Sequence, residues 1–181
     1  MLIGLIGNAG SGKSTCGNVL ISRGFTPLSF GSILKDICAL LFYWPRHLLE
    51  GDTEESRVWR ETPDEFWSKR IGKQITPRYA LQFIGTECLR NTFHKDIFLA
   101  HLERVIQMTP TNIVITDCRF PNECEFIRQL GGTIIRITRP STVQGTHISE
   151  TALNTIPADF TIVNDSTIEE LHARVNAIYG S

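Results

Sequence analysis

A glycine-rich segment near the amino terminus constrains this chain more strongly than any other feature. Residues 7–14 read Gly-Asn-Ala-Gly-Ser-Gly-Lys-Ser and match the pattern G-x-x-x-x-G-K-S/T. An apolar run at 2–6 predicts a short buried strand before it, and residues 14–21 predict a helix after it. In that setting backbone N–H groups point into one concavity, and the helix N-terminus favours negative charge. This phosphate loop predicts binding of a nucleoside triphosphate; the alternative is a turn kept only for packing.

The side chains of the phosphate loop have distinct predicted roles. Lys13 can reach the β- and γ-phosphates of ATP, and the hydroxyl of Ser14 can ligate Mg²⁺. ATP and Mg²⁺ are therefore the predicted cofactors. The predicted ATP-binding residues of this segment are Gly10, Ser11, Gly12, Lys13, Ser14 and Thr15.

Length and composition describe one ordinary globular domain. The chain has 181 residues, 41% of them hydrophobic and 20% charged, which suits one sizeable core. A formal net charge of −1 does not favour a nucleic-acid or membrane partner. The 5 cysteines form no C-x-x-C pair, which argues against a disulfide framework or a zinc site. Because no signal peptide or membrane-length apolar run is evident, we expect a soluble cytoplasmic protein (in the host cytoplasm if the source is viral).

Short apolar runs separated by helical patterns predict the fold class. Strands are expected at 2–6, 26–30, 112–116, 133–138 and 160–163. This alternation favours a three-layer α/β fold, in which a five-stranded parallel sheet has helices on both faces. One later helix is expected from Pro121 to the Gly131-Gly132 pair, and another from a Ser166-x-x-Glu169 capping box to Tyr179.

The gap between the second and third predicted strands is unusually long. About eighty residues lie there, although a crossover connection needs only a dozen or more. The patterns predict helices at 34–42, 63–71 and 78–91, the last running on towards residue 104. We therefore expect a single domain over 1–181, with a helical acceptor-binding insertion at 32–108 and a lid-like segment at 139–151.

The third predicted strand ends on an acidic residue. Asp117, at the carboxyl tip of a strand near the phosphate loop, can hold Mg²⁺ or its water. Ser14 and Asp117 are therefore the predicted metal ligands, and the alternative is that Asp117 only caps the following turn. Arg119 could contact either phosphate chain, and a plain surface arginine is an equal alternative.

A second group of side chains suits a nucleoside monophosphate. Arg78 and Gln82 are one helical turn apart, so that a charge for a phosphate and an amide for a base edge share one face. A solvated helix face is the alternative. Four aromatic side chains could stack on a base, although core packing is favoured for most of them: Trp44, Trp59, Trp67 and Phe83.

Polar loops follow the fourth and fifth predicted strands. The first is punctuated by Gly and Pro and could be a mobile lid that brings Arg139 over the transferring phosphoryl group. A plain surface loop is the alternative, and His147 in this stretch is not predicted to be a general base. Asn164 and Asp165 follow the last strand, where they could border adenine or form a simple helix-entry turn.

Several motifs resemble one kinase family, in order, over nearly the whole chain. They are the phosphate loop, Pro77-Arg78 with Leu81-Gln82 and Gly85-Thr86, Thr116-Asp117-Cys-Arg119, Arg139-Pro140, Thr146-His147-Ile-Ser-Glu150 and Asp159-Phe-Thr-Ile-Val-Asn164-Asp165. The chain resembles the phage deoxynucleoside monophosphate kinases, a branch of the P-loop nucleotide kinases. The resemblance implies a P-loop NTP hydrolase-like fold and a homodimer. It also implies transfer of the ATP γ-phosphate, with Mg²⁺, to a 2′-deoxynucleoside 5′-monophosphate.

The residues and the resemblance together assign the predicted site. The predicted catalytic residues are Lys13, Asp117, Arg119 and Arg139. Asn164 and Asp165 join the phosphate loop as predicted ATP-binding residues. The predicted substrate-binding residues are Lys35, Arg78, Gln82, Thr86 and Glu150.

Two alternative functions stay open from the sequence. The last strand and the Asn164 turn are also similar to dephospho-coenzyme A kinases, so a P-loop kinase for another small phosphorylated acceptor is the first alternative. A nucleotide-binding switch module is the second and is less favoured. Switch GTPases usually carry Asp-x-x-Gly after the metal-binding strand and Asn-Lys-x-Asp further on, and this chain has neither.

Overall fold

A five-stranded sheet dominates the computed structural model, which describes residues 1–8, 10–140 and 156–179. The strands are β1 Leu2–Ile6, β2 Thr26–Leu28, β3 Ile113–Ile115, β4 Thr133–Thr138 and β5 Phe160–Val163. Neighbouring strands run parallel, in the spatial order β2-β3-β1-β4-β5. The predicted parallel sheet is therefore confirmed, although β2 and β3 are shorter than the predicted strands at 26–30 and 112–116.

Helices fill the connections between the strands. They are α1 Lys13–Ser22, α2 Ser32–Phe42, α3 Glu54–Glu61, α4 Glu65–Ile71, α5 Pro77–Gln82, α6 Ile97–Met108, α7 Pro121–Gln129 and α8 Ile168–Tyr179. A short 3₁₀ helix at Arg46–Leu49 and a π-helix at Phe83–Phe93 complete the described elements. Within the described ranges, no helix combines the length and the apolar character needed to cross a membrane.

The two faces of the sheet are covered by different helices. Ile3 and Leu5 of β1 belong to the main core, which also contains buried residues of α1 and α8. Gly4, between them, lies next to Ile127 of α7. Because successive residues of a strand point to opposite faces, α1 and α8 cover one face and α7 covers the other. The predicted three-layer α/β fold is confirmed.

The chain divides into two compact units, of which the second is helical. The first contains the sheet and comprises Met1–Phe30 and His101–Ser181, and the second comprises Gly31–Ala100. In the second unit Trp44 is buried in a core against which Trp59 and Trp67 pack. The indole N–H of Trp44 donates to Asp64 Oδ2 at 2.7 Å. These tryptophan rings therefore serve mainly to pack this unit, the interpretation favoured by the sequence.

One predicted helix end matches the structure and another does not. The end of α7 is as expected: the N–H of Gly131 donates to Arg128 O and that of Gly132 to Ile127 O, a Schellman motif. The predicted capping residue of α8, Ser166, is wrong by one position. The helix begins at Ile168, and the hydroxyl of Thr167 accepts from the Glu170 N–H.

The long helix predicted from residue 78 changes type and ends at Phe93, before α6 begins at Ile97. It begins as α5, whose cap is the Thr76 hydroxyl accepting from Tyr79 N–H at 3.1 Å, and it continues as the π-helix. In the π-helix, Gly85 lies so close to α2 that a Cβ there would come within 2.6 Å of Leu34 Cδ2. Apolar periodicity indicates a helix here but does not distinguish a π-helix from an α-helix.

Candidate active site

The phosphate loop joins β1 to α1 and depends on its glycines. Gly7, Gly10 and Gly12 have φ of +151°, +75° and +104°, values that side-chain-bearing residues rarely adopt. A Cβ at Gly7 would lie 2.3 Å from the carbonyl oxygen of Ile137, and one at Gly12 would lie 2.5 Å from Asn164 Nδ2. The loop can therefore pack against the ends of the neighbouring strands only because these positions lack side chains.

Lys13 is the first residue of α1, and its side chain folds over the loop. Its Nζ donates to the carbonyl oxygens of Gly7 at 2.6 Å and Asn8 at 2.7 Å. Gly12, which caps the helix, offers no side chain to accept from the first N–H groups of α1. The ammonium group and the positive end of the helix dipole are thus combined at one place, an arrangement suited to phosphate.

A cavity of about 410 Å³ opens beside this loop. Its lining includes most of the predicted ATP-binding residues, together with Arg139, which is exposed. Three lining residues were not predicted: Ser166, Ile168 and Leu171, around the beginning of α8. The full lining is Gly10, Gly12, Lys13, Ser14, Thr15, Arg139, Asn164, Ser166, Ile168 and Leu171.

Two residues of the predicted ATP site do not line this cavity. Ser11 is 1% exposed, and its hydroxyl has no hydrogen-bond partner within the described ranges. Asp165 instead accepts a hydrogen bond from Arg174 Nη1 at 2.8 Å. The contribution of Ser11 to the loop therefore comes from its backbone, since Ser11 O accepts from Asn164 Nδ2 at 2.9 Å.

Asn164 connects the phosphate loop to the end of the sheet. Its backbone N–H donates to Thr138 O at 2.7 Å while its side chain holds Ser11 O. The predicted role for Asn164 was a border to adenine. In the structure the residue lines the cavity and also holds the loop.

Asp117 lies beyond the carboxyl end of β3, and residues that follow β2 hold its carboxylate. Ser29 Oγ donates to Asp117 Oδ2 at 2.7 Å, and the Phe30 N–H donates to Oδ1 at 3.2 Å. These contacts link Asp117 to the neighbouring strand. A carboxylate is also a type of ligand that Mg²⁺ prefers.

The segment after Asp117 is held by a buried carboxylate. Glu123 is 6% exposed, and its Oε2 accepts from the N–H groups of Arg119 at 2.8 Å and Phe120 at 3.2 Å. Burial raises the pKa of the Cys118 thiol, so this side chain stays neutral and packs. Arg119 is exposed and is not part of the cavity lining, whereas Arg139 is.

The predicted substrate-binding residues that the structure describes lie in the helical unit. Arg78 pairs through its Nε with Glu61, and Gln82 and Thr86 are exposed. Arg78 and Gln82 both belong to α5, at the spacing of one turn. Glu150 and His147, and most of the lid-like segment predicted at 139–151, lie outside the described residues.

Lys35 belongs to a charged network that the sequence did not predict. Its Nζ donates to Glu50 Oε2 at 2.5 Å, and Arg46 donates to the other oxygen of the same carboxylate. Burial opposes ionisation of Glu50, but the hydrogen bonds from Lys35 and Arg46 outweigh it and lower the pKa of this carboxyl. Arg46 also donates to Asp36 and to Ser32 Oγ.

Known proteins similar to this chain include several kinases. A candidate deoxynucleotide monophosphate kinase of Acanthamoeba polyphaga mimivirus is 40% identical over 190 aligned residues, covering 97% of this chain and 94% of that relative. The deoxynucleoside-5′-monophosphate kinase of Escherichia phage T5 is 35% identical over 95 residues, covering 48% of this chain and 37% of the phage protein. The dephospho-CoA kinase of Campylobacter jejuni has a similar fold, with a TM-score of 0.52 at 16% identity over 99% of this chain and 95% of that one.

The family assignment comes from the sequence matches. A family model described as deoxynucleotide monophosphate kinase matches residues 51–175, which include α5, Asp117 and Asn164. The likeness to the dephospho-CoA kinase concerns the fold alone, because identity is only 16%. The family match and the near full-length mimivirus relative show that the chain belongs to the deoxynucleotide monophosphate kinase family.

Proposed function

We propose that this protein transfers the γ-phosphoryl group of ATP to 2′-deoxynucleoside 5′-monophosphates, forming ADP and deoxynucleoside diphosphates. The observation that carries the proposal is the phosphate loop, whose Lys13 lines a cavity of about 410 Å³ in a chain of this family. Phosphoryl transfer asks a protein mainly to position two nucleotides and to neutralise their charge. Cationic side chains such as Lys13 and Arg139 can both position phosphate groups and neutralise their charge.

The phosphate loop is the proposed donor site. Its N–H groups and the N-terminus of α1 bind the triphosphate of ATP. Lys13, which holds two loop carbonyls at 2.6 and 2.7 Å, can turn its ammonium towards the β- and γ-phosphates. Arg139 lines the same cavity, which supports it over Arg119 as the residue that offsets charge on the transferring group.

Ser14 and Asp117 would hold the Mg²⁺ that accompanies ATP. A hydroxyl and a carboxylate are oxygen donors, which this cation prefers, and it usually keeps several water and phosphate ligands. In the part of the chain that the structure describes, no group of three or more His, Cys, Asp or Glu side chains forms a metal cluster of its own. When bound, Mg²⁺ neutralises charge on the phosphate oxygens.

The helical unit provides the proposed acceptor site. Arg78 binds the phosphate of the monophosphate, because its planar guanidinium pairs bidentately with phosphate oxygens, and Gln82 contacts the base edge. Lys35 and Thr86 are further proposed acceptor-binding residues. No general base is needed, since the acceptor phosphate oxygen is already anionic at neutral pH.

We also propose that the protein acts as a homodimer, as the resemblance implies. Large apolar side chains are exposed at the end of α2, where Leu40 is 84% and Tyr43 is 96% exposed. In the proposed dimer, a contact through these side chains would remove their apolar surface from water.

A panel of acceptors tests the proposed function. ADP release is followed by a coupled assay with ATP, Mg²⁺ and each deoxynucleoside or ribonucleoside monophosphate, with dephospho-coenzyme A and with no acceptor. We expect release that depends on a deoxynucleoside monophosphate. Release with dephospho-coenzyme A alone would favour the other acceptor class, and slow release that no acceptor stimulates would favour a nucleotide-dependent switch.

Removing the side chain of Asn164 should weaken ATP binding. A net hydrogen bond contributes about 0.5–1.5 kcal/mol, so Asn164→Ala is expected to raise the Kd for ATP by roughly 2- to 12-fold. Titration calorimetry with a non-hydrolysable ATP analogue measures this change. Asn112→Ala is the control, because Asn112 holds the amino terminus at the other end of the strands. An unchanged Kd in Asn164→Ala would show that the bond to Ser11 O does not support the loop.

A further inference from the structure

The carboxylate of Asp117 is held from both sides by consecutive residues. Register pairs Leu28 of β2 with Ile115 of β3, so Ser29 and Phe30 run alongside Thr116 and Asp117 beyond the strands. Ser29 Oγ donates to Oδ2 at 2.7 Å, and the Phe30 N–H donates to Oδ1 at 3.2 Å. Donors to both oxygens restrict the rotation of the carboxylate plane as well as its position.

The residues that hold Asp117 are themselves anchored. Phe30 is 4% exposed, and its ring packs edge-on against Phe126 of α7 with ring centroids 6.1 Å apart. Ser29 is half-buried, which limits the competition of water for its hydroxyl. The Ser29 bond is the shorter of the two and is made by a side chain, so it can be removed without disturbing the backbone bond from Phe30.

We propose that Ser29 is a positioning residue for the metal-binding carboxylate of Asp117. Its hydroxyl fixes the orientation in which the carboxylate would be presented to the Mg²⁺ that accompanies ATP. This inference rests on the proposed function, in which Asp117 holds Mg²⁺ or its water. Neighbours that orient a ligating carboxylate typically change metal affinity by about 10- to 100-fold when they are removed.

Metal binding without turnover tests this role. Electron paramagnetic resonance of Mn²⁺ titrated into protein with ADP measures the affinity for the metal nucleotide, and no acceptor is present. We expect Ser29→Ala to weaken Mn²⁺ binding by about tenfold or more. Ser29→Thr, which keeps a hydroxyl, should restore most of the affinity, and Asp117→Asn should lose at least as much as Ser29→Ala.

A matched control separates orientation of Asp117 from loosening of the strands. Thr26 and Thr111 share a side-chain hydrogen bond of 2.6 Å at the amino ends of the same strand pair. Thr26→Val removes that bond without touching Asp117, and its Mn²⁺ affinity should equal that of the unmodified protein. Circular dichroism confirms that each variant is folded.

Three results would overturn the inference. They are Mn²⁺ affinity within twofold of the unmodified protein in Ser29→Ala, an equal loss in Thr26→Val, and no rescue by Ser29→Thr. A failure of the proposed function has a different signature. In that case no deoxynucleoside monophosphate stimulates ADP release, while Ser29→Ala and Asp117→Asn still weaken Mn²⁺ binding together.

Discussion

Replacing Lys13 by alanine is expected to lower turnover at least about a hundredfold. Removing one donor that stabilises charge in the transition state typically costs about 2.7–4 kcal/mol. Lys13 is a proposed donor to the transferring group, since it belongs to the phosphate loop and lines the cavity beside it. The measurement is kcat at saturating ATP and acceptor in the coupled assay.

The structure shows what else Lys13→Ala removes. The ammonium holds the carbonyls of Gly7 and Asn8, so part of the effect could come from a loosened loop. Titration calorimetry of an ATP analogue and thermal unfolding separate this contribution, because a loosened loop lowers affinity and Tm as well as kcat. Lys69→Ala on α4 is the control for loss of an exposed lysine. Turnover near normal in Lys13→Ala would refute the assignment of the donor site.

Sequence patterns predicted the parts of the fold that are formed by contiguous residues. The phosphate loop is a contiguous segment, and the bounds of β1, β4 and β5 coincide with their apolar runs. The predicted strand at 26–30 is too long for a physical reason. Ser29 and Phe30 lie beyond the ladder and donate to Asp117, so residues that suit a strand are used to hold a side chain.

Contacts between distant residues could not be read from the sequence. The bond from Asn164 to Ser11 O joins residues 153 positions apart, and only the order of the strands brings them together. Arg46 meets Lys35 through the carboxylate of Glu50, in a unit whose helix packing has no sequence signature. Periodicity predicts which residues share a helix face, but it does not predict which side chain on another helix that face will meet.

Unlike the loop residues, Arg78 offers a side chain that can be removed with little effect on stability. Its ion pair with Glu61 is exposed, with 40% and 57% of the two side chains accessible. Exposed pairs contribute only about 0–1 kcal/mol to stability. Arg78→Ala should therefore weaken binding of the acceptor and leave the stability of the protein nearly unchanged. Glu61 accepts from the guanidinium in the structure, and a phosphate can take its place.

Arg78→Ala is expected to raise the KM of the acceptor strongly while leaving the KM of ATP near its original value. A hydrogen bond to a charged group contributes about 1.5–3 kcal/mol, which corresponds to roughly a 10- to 150-fold rise. Arg57→Ala is the matched control, because Arg57 forms a similar exposed pair with Glu54 in the same unit. Glu61→Gln should leave the acceptor KM unchanged or lower, since the carboxylate competes with phosphate for Arg78. The measurement is steady-state kinetics with each substrate varied in turn, which assigns the lost contact to one nucleotide. A change confined to the KM of ATP would place Arg78 on the donor side.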